Sequence, residues 1–176
     1  MANNLDRLPE RVRQHVRQLV EPAGLVGMDG AEEQLAEGWL EKQRAFDQHT
    51  AARGMAPATE FAADDTGGAL VMTYSGSIVS VGPMTDGRRD ASYASVGARR
   101  DVPRLVSRQD SRLAADIAVD RVLEFDGGPV VKTSPVFAIA VFRKALPPAK
   151  EQAALVEVTQ VLTERFVAIN NDTLHG

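Results

Sequence analysis

The sequence predicts an α+β protein with an antiparallel sheet of about five strands and with its helices packed on one side of that sheet. Apolar residues recur every three or four positions near both ends of the chain, which is typical of amphipathic helices. In the middle they alternate every second position, which is typical of strands, and short turn sequences favour antiparallel neighbours. The predicted order is α-α-β-β-β-β-β-α in a single domain over residues 1–176.

Two N-terminal helices are predicted over residues 5–54. The apolar stripe of the first consists of Leu5, Leu8, Val12, Val16 and Leu19. The stripe of the second contains Leu35, Trp39 and Phe46. Asp6 is the expected N-cap of the first helix, and a capping box that begins at Asp29 starts the second. Gly54 is expected to end the second helix in a left-handed conformation, and Gly38 inside it indicates close packing against another element.

Residues 55–68 show no period and are predicted to form a loop, which is followed by the sheet over residues 69–144. The predicted strands are Ala69–Tyr74, Ser77–Gly82, Arg89–Val96, Asp116–Phe125 and Val136–Phe142. Ser75-Gly76 is the expected two-residue turn of the first hairpin. The last strand is apolar on both faces, which indicates a strand that is covered on both sides.

A C-terminal helix is predicted over residues 148–170, after the Pro147-Pro148 pair. Its apolar stripe consists of Leu155, Val158, Leu162, Phe166 and Ile169. This stripe recurs at intervals of three and four, so one face of the helix is expected to pack on the sheet or on a partner helix.

The composition excludes several classes of function. The chain has no cysteine, which removes thiol nucleophiles, disulfides and cysteine zinc sites. Its net charge of −4 and its aromatic content of 5% argue against nucleic-acid binding. No run approaches the roughly 18 apolar residues of a membrane span, and the first residues are charged where a signal peptide is apolar. We therefore expect a cytoplasmic protein with neither a membrane nor a nucleic acid as partner.

The most unusual feature of the sequence is residues 88–112, named here the arginine segment. It holds seven arginines and three aspartates, a net charge of +4 in a chain whose net charge is −4. The tripeptide Arg-Arg-Asp occurs twice, at 88–90 and 99–101, on either side of a strand rich in small residues. Small residues let a ligand or a second backbone approach closely.

Guanidinium groups present planar forks of donors that fit phosphate and carboxylate groups. We therefore predict a binding site for a small anionic ligand or an acidic protein partner. The candidate ligand-binding residues in this segment are Arg88, Arg89, Tyr93, Arg99 and Arg100. The alternative is that these arginines are solvated charge at strand ends, and that Arg104, Arg108 and Arg112 form the exposed face of one or two helical turns.

Arg121 is a further candidate ligand-binding residue. The alternation places it on the same strand face as Val119 and Leu123, which are predicted core residues. A buried arginine requires a carboxylate partner or a site to point into. The alternative is a position near the rim, where the apolar stem is covered and the charged head reaches water.

No cofactor or metal site is predicted, and no catalytic residue is assigned. The three histidines lie in distant segments and form no spaced ligand pair. Gly67-Gly68 precedes a strand and Gly127-Gly128 joins two strands, so neither pair opens a helix that could hold a phosphate. Both pairs are interpreted as turn residues.

These observations favour a non-catalytic cytoplasmic binding or interaction protein whose arginine segment is an anion-binding surface. One alternative is an enzyme that holds a small phosphorylated or carboxylated substrate with the same arginines. The other is a structural subunit of a homo-oligomer, for which a homodimer is the commonest symmetric assembly. A lid formed by residues 55–68 and a simple connection there are equally compatible with the sequence.

Overall fold

The computed structural model describes residues 3–21, 23–62, 67–85, 88–96, 105–113, 116–126 and 131–175. Three α-helices and ten strands lie in this part of the chain. Every strand pairing is antiparallel. The prediction of an α+β protein with an antiparallel sheet is confirmed.

The helices are α1 Glu10–Leu19, α2 Ala31–Ala52 and α3 Pro148–His175, preceded by a 3-10 helix at Asn4–Arg7. Asp6 is not the N-cap of α1, because α1 begins after Pro9 and Asp6 lies within the 3-10 helix. The side chain of Asn3 accepts the Leu5 N–H and caps that short helix.

Of the predictions made for α2, one is wrong and two are confirmed. The capping box at Asp29 is wrong, because Gly30 is the N-cap, with a φ of 78° and no side-chain cap. Gly54 does follow α2 in the predicted left-handed conformation, with a φ of 74°. A Cβ on Gly38 would lie 2.6 Å from Thr173 Oγ1, which confirms that this glycine packs closely against another element.

The strands form one sheet of eight and one of two. Their bounds are β1 Met55–Ala58, β2 Glu60–Phe61, β3 Ala69–Thr73, β4 Ile78–Thr85, β5 Arg88–Val96, β6 Leu105–Leu113, β7 Ile117–Ala118, β8 Glu124–Asp126, β9 Val131–Lys132 and β10 Val136–Phe142. The larger sheet has the order β1-β10-β3-β4-β5-β6-β8-β9, and β2 pairs with β7 in the smaller one.

Each face of the larger sheet has its own core. On one face, the buried residues of all three helices pack on sheet residues such as Leu70, Met72 and Ile78. On the other face, Val71 and Val79 lie beneath residues of the smaller sheet and of β8. The helices therefore lie on one side, as predicted. Coverage on both sides explains why β10 is apolar throughout.

The predicted loop over residues 55–68 is wrong in part, because it contains β1 and β2. Strands of four and two residues are too short to display a period in the sequence. β1 lies at the sheet edge, where Pro57 is tolerated because the outer side of an edge strand has no neighbour that requires an N–H donor.

The predicted continuous strand Asp116–Phe125 is wrong. The chain turns at Asp120, whose φ is 70°, so that β7 joins the smaller sheet and β8 joins the larger one. The Tyr74 hydroxyl donates a hydrogen bond to the Asp120 carboxylate, and Arg11 forms an ion pair with it. These contacts stabilise an unfavourable backbone conformation at Asp120, which no local sequence pattern predicts.

The alternative in which Arg108 and Arg112 lie on one or two helical turns is wrong, because both residues lie in β6. This strand pairs with β5 along most of its length, from Leu105 opposite Val96 to Leu113 opposite Arg89. Long-range pairing with β5 therefore overrides the helical spacing of the arginines. Arg104 lies outside the described residues.

The first hairpin has a loop of three residues where the sequence predicts two. The Thr73 N–H donates to the Ser77 carbonyl at 3.0 Å, and Gly76 between them has a φ of 81°. A left-handed third residue is common in three-residue hairpin loops. The register of β3 and β4 follows from this closure.

Candidate functional site

Arg89, a predicted ligand-binding residue on β5, is fully buried, with 0% of its surface exposed. Its guanidinium carbon lies 4.0 Å from the centre of the Phe61 ring. Nη2 donates to the Ala62 carbonyl at 2.5 Å. Nη1 donates to the carbonyls of Gly82 and Gly67 at 3.3 and 3.5 Å. These donors point at the backbone of this chain, so Arg89 ties β4 to the segment between β2 and β3.

Tyr93 lies further along β5 on the face away from the helices. Its ring packs edge-on against Phe125, with centroids 5.5 Å apart, and its hydroxyl lies 3.2 Å from Ser77 Oγ. None of its ring contacts or hydrogen bonds among the described residues involves Arg89. The structure thus places these two candidates on one strand and one face, with different neighbours.

The other predicted site residues divide into three cases. Arg88 begins β5, opposite Thr85 of β4. Arg99 and Arg100 lie outside the described residues, so an anion site built with them stays a prediction. Arg121 is exposed just after the Asp120 turn, which agrees with the alternative in which its charged head reaches water.

A cavity of about 410 Å³ lies between α3 and the ends of β3, β4 and β10. The apolar side chains of its described lining are Phe61, Pro83, Val141, Phe142, Ala145, Leu146, Pro148 and Leu155. The polar side chains of that lining are Glu151 and Gln152. Concave, mostly apolar spaces of this size with a few polar groups are typical of small-molecule sites. We name this space the Glu151 cavity.

Glu151 is the buried charge of the cavity, with 8% of its surface exposed. It lies in the first turn of α3, where the helix dipole stabilises a negative charge. In the described part of the chain, no residue donates a hydrogen bond to its carboxylate or forms an ion pair with it. A carboxylate that lines a cavity without such a partner is available to a ligand that supplies hydrogen-bond donors.

The floor beside Glu151 is made of glycine. A Cβ on Gly68 would lie 2.8 Å from the Val81 carbonyl and 2.9 Å from Glu151 Oε1, so no larger residue fits there without displacement. Gly67 has a φ of 95°, and its carbonyl is held from the opposite side by Arg89. The Gly67-Gly68 pair, interpreted from the sequence as a turn, therefore also permits the close approach of α3.

Glu151 is not among the predicted site residues, although the sequence contains a signal for it. Glu151 precedes Leu155 by four positions and Val158 by seven, so it falls on the apolar stripe of α3. A carboxylate at a stripe position is directed toward the core instead of toward water. Whether a described residue meets its carboxylate, in contrast, depends on parts of the chain that lie far away in the sequence.

Comparisons with protein-family models, with curated proteins and with solved structures find no match to this chain. No helix in the described ranges has both the length and the apolar character that a membrane span requires. Nor do three or more metal-binding side chains come together within those ranges. The fold and the site define an α+β protein with a mostly apolar cavity that contains a buried carboxylate.

Proposed function

We propose that this chain is a non-catalytic binding protein that takes a small ligand with an amino head and an apolar body into the Glu151 cavity. The observation that supports this proposal is a carboxylate with 8% exposure that lines a cavity of about 410 Å³ and has no described partner. An ammonium group supplies both the charge and the hydrogen-bond donors that such a carboxylate lacks.

The shape of the cavity favours a ligand with an apolar body. Phe61, Phe142 and Leu155 provide apolar walls on the sides facing the two sheets and α3. Removal of hydrocarbon from water contributes roughly 25 cal/mol for each Å² buried. The walls would therefore supply affinity, and Glu151 would orient the ligand. An amine with a short alkyl or aryl group meets both requirements.

The arginine segment remains a separate proposal. We propose that it forms an anion-binding surface for a small anionic ligand or an acidic protein partner, in a chain that acts in the cytoplasm and assembles as a homodimer. Its net charge of +4 supports an anionic partner, and the lack of cysteine is in keeping with a reducing compartment. Arg89 would contribute to that surface by positioning the backbone carbonyls to which it donates.

Thermal-shift measurements with a matched set of ligands test the proposed function. Primary amines from propylamine to phenethylamine are compared with alcohols of the same size and with phosphate and dicarboxylates. We expect amines to stabilise the protein, since a ligand at about 100 times its Kd contributes about 2.7 kcal/mol, which corresponds to roughly 5–11 °C in Tm for a chain of this size. Glu151→Gln should abolish that shift, because it keeps the shape of the side chain and removes the charge.

The matched control is Glu164→Gln on the same helix, where the side chain is exposed and accepts from Gln160 Nε2. This variant should retain the shift with amines. If amines shift neither protein, or shift Glu151→Gln as strongly as the parent, the Glu151 cavity is not an amine site. A shift with phosphate or dicarboxylates alone would instead support the arginine segment as the binding surface.

A further inference from the structure

Arg89 lies behind one wall of the Glu151 cavity. Three of the residues that it contacts, Phe61, Gly67 and Gly82, line that cavity. Its guanidinium carbon lies 4.0 Å from the centre of the Phe61 ring, and Nη1 donates to the carbonyls of Gly82 and Gly67 at 3.3 and 3.5 Å. A buried cation thus backs the part of the wall that these residues form.

The contact with Arg89 determines what Phe61 can offer to a ligand. The face of an aromatic ring attracts a cation because its π electrons make the face negative, whereas the edge is positive. Arg89 occupies one face of the Phe61 ring, and its charge repels a second cation near the same ring. Phe61 therefore contributes apolar surface to the cavity and not a binding site for a cation.

This property of Phe61 bears on quaternary ammonium ligands. Such groups have no N–H donors, and proteins recognise them with cages of aromatic rings. The described lining of the Glu151 cavity has two aromatic side chains, Phe61 and Phe142, and Phe61 is already paired with Arg89. One remaining ring does not form a cage.

Glu151, in contrast, offers a charge together with hydrogen-bond acceptors. Its carboxylate lies against the glycine floor, since a Cβ on Gly67 would lie 3.1 Å from Oε1 and 3.3 Å from Oε2. An ammonium N–H approaches a carboxylate to about 2.8 Å between nitrogen and oxygen, whereas methyl groups on the nitrogen prevent this approach. Gln152, the other polar side chain of the described lining, is exposed. Glu151 therefore favours a cation that carries N–H donors.

We propose that the Glu151 cavity binds ammonium groups that carry N–H donors and excludes quaternary ammonium groups, and that Arg89 enforces this exclusion by occupying Phe61. Arg89 is then a specificity-determining residue that acts from behind the wall without touching the ligand. This inference rests on the proposed function, because both require an amine in this cavity. It restricts the ligand class to amines that keep at least one N–H when charged.

Two cations with the same charge, shape and number of heavy atoms test this selectivity. Phentermine has a primary ammonium group on a carbon that carries two methyl groups. Benzyltrimethylammonium has nitrogen in place of that carbon and a third methyl group in place of the ammonium group. Titration calorimetry at pH 7 gives the Kd of each. We expect phentermine to bind at least about 10-fold more tightly, because charge-assisted hydrogen bonds to the carboxylate contribute to its binding alone.

The outcomes distinguish this inference from the proposed function. If benzyltrimethylammonium binds as tightly as phentermine or more tightly, the inference is overturned and the Glu151 cavity remains an amine site. If unbranched phenethylamine binds and neither of the two cations does, the cavity excludes bulk and not quaternary groups, and the inference is again overturned. If none of the three binds, the proposed function fails, and the inference fails with it.

Variants of Arg89 test its part in the exclusion. Arg89→Met frees a face of the Phe61 ring and removes the repelling charge, so the Kd of benzyltrimethylammonium should fall about 3-fold or more. Loss of packing alone would weaken binding, so a gain separates selectivity from stability. Arg89→Lys keeps a cation near the ring and should show no gain. The control is Arg165→Met, whose side chain pairs with Glu41 outside the cavity. An unchanged Kd in folded Arg89→Met would remove Arg89 from the proposal.

Phe61→Leu gives a second test that does not require Arg89→Met to fold. This variant removes the ring and keeps an apolar side chain in the wall. We expect the Kd values of both cations to change by the same factor, since neither cation binds to that ring. A larger loss for benzyltrimethylammonium would mean that Phe61 binds the quaternary group in the presence of Arg89, which would overturn the inference.

Discussion

Arg89 and Lys42 are two buried cations with opposite surroundings. Arg89 donates to three backbone carbonyls and lies 4.0 Å from an aromatic ring. Lys42 of α2, with 9% of its surface exposed, has no acceptor in the described part of the chain, and its Nζ lies 5.8 Å from the centre of the Phe166 ring. The comparison shows that burial alone does not define the role of a charge. A cation whose donors are used by the backbone stabilises the fold, whereas a desolvated cation without acceptors lowers stability.

The chemistry of the two side chains accounts for this division. Guanidinium keeps its charge at every relevant pH and presents five donors in a fixed fork, which suits several carbonyls at once. An ammonium group can lose its proton when it is desolvated, so a lysine adapts to a dry site by becoming neutral. The lowered pKa of Lys42, about 8, is the expected response to burial.

Replacement of the satisfied cation should have the largest effect on stability. Arg89→Met leaves the carbonyls of Ala62, Gly67 and Gly82 without this donor in a dry environment. We expect the free energy of unfolding to fall by about 4 kcal/mol, measured by urea denaturation at pH 7. The control is Arg143→Met, at an exposed position, with an expected change within about 0.5 kcal/mol. Equal losses in the two variants would remove the distinction between buried and exposed arginine.

Replacement of the unsatisfied cation should act in the opposite direction. Lys42→Met removes the desolvated charge and keeps an unbranched apolar side chain, so we expect the free energy of unfolding at pH 7 to rise by about 2 kcal/mol. The sign with pH follows from the pKa of Lys42, which is about 8 in the folded chain and near 10.4 when unfolded. Between these values the unfolded chain binds more protons, so the parent gains stability as pH rises.

Urea denaturation of both proteins at pH 7, 8, 9 and 10 measures this difference. The advantage of Lys42→Met should decrease as pH rises above 8, and tyrosine ionisation should cancel because both proteins share it. Lys144→Met, at an exposed position, is the matched control and should follow the parent at every pH. If Lys42→Met were more stable than the parent by the same amount from pH 7 to 10, the pKa of Lys42 would be ordinary. The difference between Lys42 and Arg89 would then be one of packing and not of charge.

The sequence predicts the parts of this fold whose pattern persists over a long element. The stripe of α3 from Leu155 to Ile169 is buried at every position, and β3 and β10 lie within a residue of their predicted ends. Short strands and turns held by distant residues carry no such pattern. The Asp120 turn depends on Tyr74 and Arg11, which are remote in the chain. The alternation of apolar residues continues through this turn, so it predicts one strand where the structure has β7 and β8.

A sequence can reveal a buried charged residue when that residue falls on the apolar stripe of a helix. Lys42 follows Trp39 by three positions and precedes Phe46 by four, and Glu151 continues the stripe of α3 in the same way. The periodicity identifies both as core-facing. Whether an acceptor or a donor meets them depends on glycines and carbonyls from other elements, such as Gly68 and Gly76, which no local pattern specifies.

The smallest expected effect concerns the aromatic neighbours of the two cations. Double-mutant cycles with Arg89→Met and Phe61→Leu, and with Lys42→Met and Phe166→Leu, measure the coupling in each pair by urea denaturation. We expect about 1 kcal/mol for the arginine pair, whose separation is 4.0 Å, and a few tenths for the lysine pair at 5.8 Å, near the limit of such contacts. The lysine coupling should fall further at pH 10, where the amine is neutral. A lysine coupling as large as that of arginine would show that Phe166 stabilises the Lys42 charge, and Lys42 would then be a satisfied cation like Arg89.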